Sequence, residues 1–128
     1  MASRVFDRIM ALGKARVVIS GSFAPNGAST SVTSVKGNGF TVAHTAGGGV
    51  YTITLQDTYP DYDSIMVQYQ GTASLTAQVT AAPDVASAKT IVVTVFNPAT
   101  GAAVVDPAAN AATRIHFRAI MKNTSGNF

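Results

Sequence analysis

The sequence predicts an all-β protein: an antiparallel β-sandwich of jelly-roll type, with seven to eight strands behind a short N-terminal amphipathic helix. Three observations predict it. From residue 15 onward apolar residues recur with a period of two, the signature of strands with one face buried. Turn formers interrupt that pattern at regular intervals, as PNG at 25–27, GNG at 37–39, GGG at 47–49, YPDYD at 59–63, APD at 82–84 and NPATG at 97–101. A helical period is confined to the first twelve residues. Short strands punctuated this evenly belong to a sandwich or barrel. Two segments follow from this: a helical arm over residues 1–14 and a β-sandwich domain over residues 15–128.

In the arm, Val5, Phe6, Ile9, Met10 and Leu12 fall on one arc of a helix, with Arg4, Asp7 and Arg8 opposite. Ser3 is placed to cap the first turn and Gly13 to end the last. So short a helix is not stable alone in water. Its apolar face must therefore lie on its own domain or on a neighbour. Strands are expected over residues 15–23, 31–36, 40–45, 50–55, 64–70, 74–80, 90–96 and 113–121. In the fourth, Tyr51, Ile53 and Leu55 oppose Val50, Thr52 and Thr54; in the sixth, Leu75, Ala77 and Val79 oppose Thr76, Gln78 and Thr80. Residues 91–96 are apolar on both faces apart from Thr94, so Val92 and Phe96 call for cover from a helix or another subunit. In the last strand Ile115, Phe117, Ala119 and Met121 make the apolar face, aligning Arg114, His116 and Arg118 on the other. Residues 99–113 are alanine-rich; Asp106 before Pro107 has the form of a helix cap, and either one helical turn or a flat-lying loop fits.

Only 12% of the 128 residues are charged, against about a quarter in ordinary domains, while 47% are apolar. Residues 17–55 hold a single charge, Lys36, among eleven serines and threonines. Uncharged surface of this kind marks contact between molecules. The net charge of +3 hides an asymmetry: residues 1–16 and 114–128 each carry +3, and the span between them −3. With no cysteine, neither a disulfide nor a thiolate metal site is available. Arg4, Asp7 and Arg8 interrupt the apolar run that a signal peptide needs, which points to a product of the cytoplasm.

Motifs that carry chemistry do not emerge. There are two histidines, His44 and His116, and no glutamate, and no metal-ligating spacing joins them. SGS at 20–22 sits in an extended pattern, not in a nucleophile elbow. The DTYPDYD stretch lacks the glycine and the final glutamate of a calcium loop and reads as a surface turn with Tyr59 and Tyr62 half packed. No glycine run has the form of a phosphate cradle. No cofactor, metal or catalytic residue is expected. Basic termini and a pI of about 9.5 raise a nucleic-acid-binding β-barrel as an alternative, but the strands lack adjacent exposed aromatics for base stacking.

Several motifs occur together: GSF at 21–23 with PNG at 25–27, VKGNGFTV at 35–42, YTITL at 51–55 running into DTYP at 57–60, and RIHF at 114–117. In this combination the chain resembles, over residues 17–121, a group of small virion proteins of tailed bacteriophages. The resemblance implies a non-enzymatic capsid decoration or cement protein that stabilises the head shell, or in second place a head fibre, tail or baseplate component. It implies a virion location and partnership with the major capsid protein or another virion protein, without a membrane. Scarce charge and the need to cover Val92 and Phe96 add a symmetric homo-oligomer, a trimer before a dimer. The residues expected to make protein contacts are Arg4, Phe6, Arg8, Ile9, Met10 and Arg16 in the arm and Arg114, His116 and Arg118 in the last strand.

Overall fold

A computed structural model of the chain describes residues 16–45, 48–100 and 103–123, so the helix expected over residues 2–13 lies outside the described residues. Nine strands follow in order: β1 (Arg16–Ala24), β2 (Thr33–Gly37), β3 (Phe40–Thr45), β4 (Val50–Leu55), β5 (Asp61–Gln70), β6 (Thr76–Val79), β7 (Thr90–Asn97), β8 (Ala103–Val104) and β9 (Arg114–Lys122). All eight strands expected from the alternation are present, with ends shifted by no more than three residues. The ninth, β8, is a two-residue bridge onto Phe96 and Asn97 that the alanine-rich stretch did not announce. The residues after it form no helical turn at Asp106 and Pro107; they run as the flat-lying loop, because the Asp106 carboxylate is engaged elsewhere.

Every pairing is antiparallel, and the strands divide into two sheets, A in the order β2-β1-β9-β5 and B in the order β3-β4-β7-β6, with β8 also on β7. The first strand pairs with the last over eight residues, and β4 pairs with β7. These are the two outer wraps of a jelly roll. In place of further paired wraps, β5 lies singly beside β9 and β6 singly beside β7.

The core is the set of inward positions that the period of two selects. Ile19 and Phe23 of β1, Ile115, Phe117, Ala119 and Met121 of β9, Tyr51, Ile53 and Leu55 of β4 and Ile91, Val93 and Val95 of β7 are all buried. They meet between the sheets as one cluster. Burial at roughly 1.5–3 kcal/mol for each large apolar side chain makes this the principal source of stability. Inward residues of β5 and β6, such as Ile65, Val67, Ala77 and Val79, are only half buried against it.

The chain passes from sheet A to sheet B between β2 and β3, and a glycine pair makes that corner possible. Gly21 of β1 faces Gly37 of β2 on one side and Phe117 of β9 on the other. The ring of Phe40, the first residue of β3, lies on the two glycines. A Cβ at Gly21 would come 2.3 Å from Phe40 Cζ, and one at Gly37 would come 2.8 Å from its Cε1. Gly37 also has φ +117°, a backbone conformation that side chains disfavour. The same Phe40 ring meets Phe117 edge-on, with centroids 4.7 Å apart. Gly21→Ala therefore forces Phe40 off its seat, and we expect a loss of about 1–3 kcal/mol, measured by urea or thermal melting. Unchanged stability would show that Phe40 is not held by this contact.

Candidate interaction surface

The two outer faces of the sandwich differ in chemistry. On sheet B the outward positions of β3, β4, β6 and β7 carry no formal charge, and seven of the twelve are threonine: Thr41, Thr45, Thr52, Thr54, Thr76, Thr90 and Thr94. β-branched residues suit a pleated strand, and hydroxyls keep such a face wettable without charge. Thr80 and Thr94 share a hydrogen bond of 2.8 Å between their hydroxyls. Val92 and Phe96 lie on this face half buried; Phe96 stands between Thr76 of β6 and Val104 of β8 in register. Cover for them from the N-terminal helix concerns residues outside those described.

The outward positions of sheet A hold Arg16, Lys36, Arg114, Arg118 and Lys122, five of the six described cations. The three exposed large apolar side chains among the described residues, Val18, Val35 and Met66, are on strands of the same sheet. Arg118 sits between Ser20 of β1 and Met66 of β5, one pair along from the Val18–Ile120 pair. Cations set among exposed apolar side chains make a surface suited to contact with an acidic partner.

Within that surface the row of Arg114, His116 and Arg118 is not uniform. Arg114 is half buried and donates from Nη2 and Nε to Ser22 Oγ at 2.8 and 3.1 Å, and from Nη2 to the Ser34 carbonyl at 2.5 Å. Ser34 has φ +48° where the β1–β2 register shifts, so Arg114 clasps an irregular edge strand from two strands away. His116 Nε2 meets Gln70 Oε1 at 2.7 Å. Arg118 is exposed and has no hydrogen-bond or ion-pair partner among the described residues. Of the three, it is the one available to a partner molecule. Arg16 Nε donates to Asp63 Oδ2 at 2.8 Å, tying the start of β1 to β5. That hydrogen bond, against an opposing desolvation and with the charges of Arg16 and Lys122, holds the Asp63 carboxyl below the usual aspartate range. Arg4, Phe6, Arg8, Ile9 and Met10 lie outside the described residues.

A second constellation escaped the sequence reading. His44, inward on β3, has Nε2 2.8 Å from Asp106 Oδ1 and Nδ1 2.5 Å from the Ser29 carbonyl, and its side chain is 1% exposed. The same Asp106 oxygen accepts from the Gly49 amide at 2.6 Å. His44 stacks on Tyr51, with centroids 4.6 Å apart. Nearby, the Gly27 amide donates to the Pro107 carbonyl at 2.9 Å. The cluster joins three loops at one end of the sandwich. With both ring nitrogens engaged by the fold and the side chain buried, the imidazole acts as a strut. No His, Cys, Asp or Glu group suited to a metal occurs among the described residues. Described aromatic side chains are buried or half buried, so none forms a platform for base stacking. No helix of the described residues is long and apolar enough to cross a membrane. Compared with protein-family models, curated proteins and solved structures, the chain finds no match in any of the three.

Two outcomes follow from these contacts. The Tyr51 hydroxyl is buried without a hydrogen-bond partner among the described residues, and burial raises its pKa well above that of an ordinary tyrosine. Tyr51→Phe removes that orphan and should raise stability by on the order of 1 kcal/mol in denaturant melts; a clear loss would mean that the hydroxyl is satisfied. Asp63 has a folded pKa below its unfolded one, so its contribution is present above the unfolded value and lost as pH falls through the folded one. Carboxyl NMR titration should find Asp63 titrating below the ordinary aspartate range, and returning toward it in Arg16→Gln.

Proposed function

We propose that the protein is a non-enzymatic structural component of a bacteriophage particle, a decoration or cement protein that docks on the capsid shell. The observation that carries this reading is the segregation of chemistry between the outer faces: cations and exposed apolar side chains on sheet A, uncharged threonine on sheet B. A small domain with one adhesive face and one inert face is suited to lie on a larger assembly. The motif resemblance supports the same reading. The residues that carry it, Gly21, Gly37, Phe40 and the strand from Arg114 to Phe117, are those that turn the chain between sheets and clasp its edge.

In this reading Arg118 and its apolar neighbours Val18 and Met66 meet an acidic protein surface, with Lys122 and Arg16 at one end of the contact. Arg4 and Arg8 would steer, and Phe6, Ile9 and Met10 would supply apolar anchors. Uncharged strand faces cost less to desolvate than charged ones, which fits a protein whose surface is covered by neighbours. A nucleic-acid-binding barrel is the second reading, favoured by the same cations; it lacks stacking aromatics and has its basic face interleaved with exposed valine and methionine.

Capsids prepared without the protein and then mixed with it provide the test. Bound copies are counted by co-sedimentation and electron microscopy. Arg118→Glu should weaken binding by about tenfold or more while melting like the parent, since Arg118 has no internal partner to lose. Binding of the variant at parental strength would reject sheet A as the docking face. Salt-resistant binding to duplex or single-stranded DNA, with no binding to particles, would favour the second reading.

A further inference from the structure

The sandwich is closed along one side and open along the other. On the closed side Phe40 and the glycine pair seal the corner between β2 and β3. On the open side stand β5 and β6, each paired on only one edge, at the places where a full eight-stranded roll would continue with further strands. Between them lies a largely apolar groove of about 650 Å³, lined among others by Ile65, Val67, Ala77, Val79 and Phe117. Free edges of this kind are ordinarily blunted by lysine, proline or an inward charge. Here residues 64–70 read SIMVQYQ and residues 76–79 read TAQV, with none of these devices. The only bulge of β5 lies at its start, between Tyr62 and Ser64, and leaves the rest of the edge regular.

We propose that this open side is a self-association surface, and that its occupant is a second copy of the chain, paired antiparallel through β5 about a two-fold axis near Val67. The pattern of the strand fits this occupant: its half-buried inward residues Ile65, Val67 and Tyr69 are symmetric about Val67. With Val67 opposite its own copy, Ser64 faces Gln70, Ile65 faces Tyr69 and Met66 faces Gln68. Asp63 falls opposite Gly71 and Asp61 opposite Ala73, so the strand's two charges never oppose a like charge. Inward residues meet inward residues, so Ile65, Val67 and Tyr69, now half buried, would be covered from both copies. Sheet A then continues unbroken through the pair, and the two β6 edges approach across the groove. A two-fold pair also differs from the trimer that the composition favoured. Met66 and Arg118 line the groove as well as the proposed docking face, yet the two readings are tested apart: a monomeric protein that decorates particles would overturn this one and leave docking intact.

The test is the mass of the full chain in solution, by sedimentation equilibrium at micromolar concentration, together with two variants. The parent should be a dimer. Gln68→Lys adds like charge to an exposed outward position of the edge and should raise the dimer dissociation constant by about tenfold or more with an unchanged melting curve. Because the chain has no cysteine, a form with Met66→Cys and Gln68→Cys should become covalently dimeric on oxidation, the facing pair lying opposite each other across the axis. This second variant keeps the proposal testable if the first fails to fold. A monomeric parent, meaning that the groove is left open or filled by the chain's own residues 2–13, would overturn the proposal. So would a trimer, or a dimer that survives Gln68→Lys and forms no crosslink.

Discussion

The ring of Phe40 on the bare backbone of Gly21 and Gly37 is the contact on which the architecture turns. A sandwich needs the chain to leave one sheet and enter the other without opening a gap at the corner. Any side chain at either glycine would fill the space that the ring occupies, and without the ring the paired glycines would leave a hole beside Phe117. The three aromatic and glycine positions therefore depend on one another. With the corner fixed, β3 is committed to sheet B, its hairpin partner β4 follows, and β7 is bracketed between β4 and β6.

That commitment divides the molecule into a sealed edge and an unsealed one. The central strands β4, β7 and β9 bury their inward side chains, while β5 and β6 leave theirs partly wet. The two outer faces are independent of this division and differ from each other by charge. Three distinct surfaces result on one small domain: an uncharged threonine face, a basic face with exposed apolar residues, and a strand edge. The basic face and the strand edge meet at Met66 and Arg118, which line the groove beside β5.

The strands were legible because each follows an alternation that only a half-buried strand satisfies; Tyr51, Ile53 and Leu55 announce the core as plainly in letters as in coordinates. The resemblance motifs named the corner glycines without giving their purpose. What was not legible depends on distance along the chain. His44 and Asp106 are joined across 62 residues, and nothing local to Asp106 distinguishes a helix cap from a loop carboxylate reaching back to a histidine. The basic row in β9 was visible, but its internal division was not: whether Arg114 or Arg118 is spent on the fold is decided by Ser22 and Ser34, which belong to strands about eighty or more residues earlier. The short bridge at β8 obeys no periodicity because two residues cannot display one.

The pairing of β1 with β9 brings together the beginning and the end of the described chain, Arg16 against Lys122. Sheet A therefore has no centre until its last strand has been made. On the ribosome, β1 waits for its partner β9 through the synthesis of every intervening strand, and contacts of such long sequence separation form slowly. Low charge does not lessen the hazard of a hydrophobic strand left without a partner, since charged residues are the ordinary guard against strand aggregation. A truncated product lacking β9 would keep sheet B but split sheet A into β2-β1 and a lone β5, and would lose Ile115, Phe117, Ala119 and Met121 from the core. Completion of translation thus becomes a checkpoint built into the topology, since sheet A closes only when β9 is made.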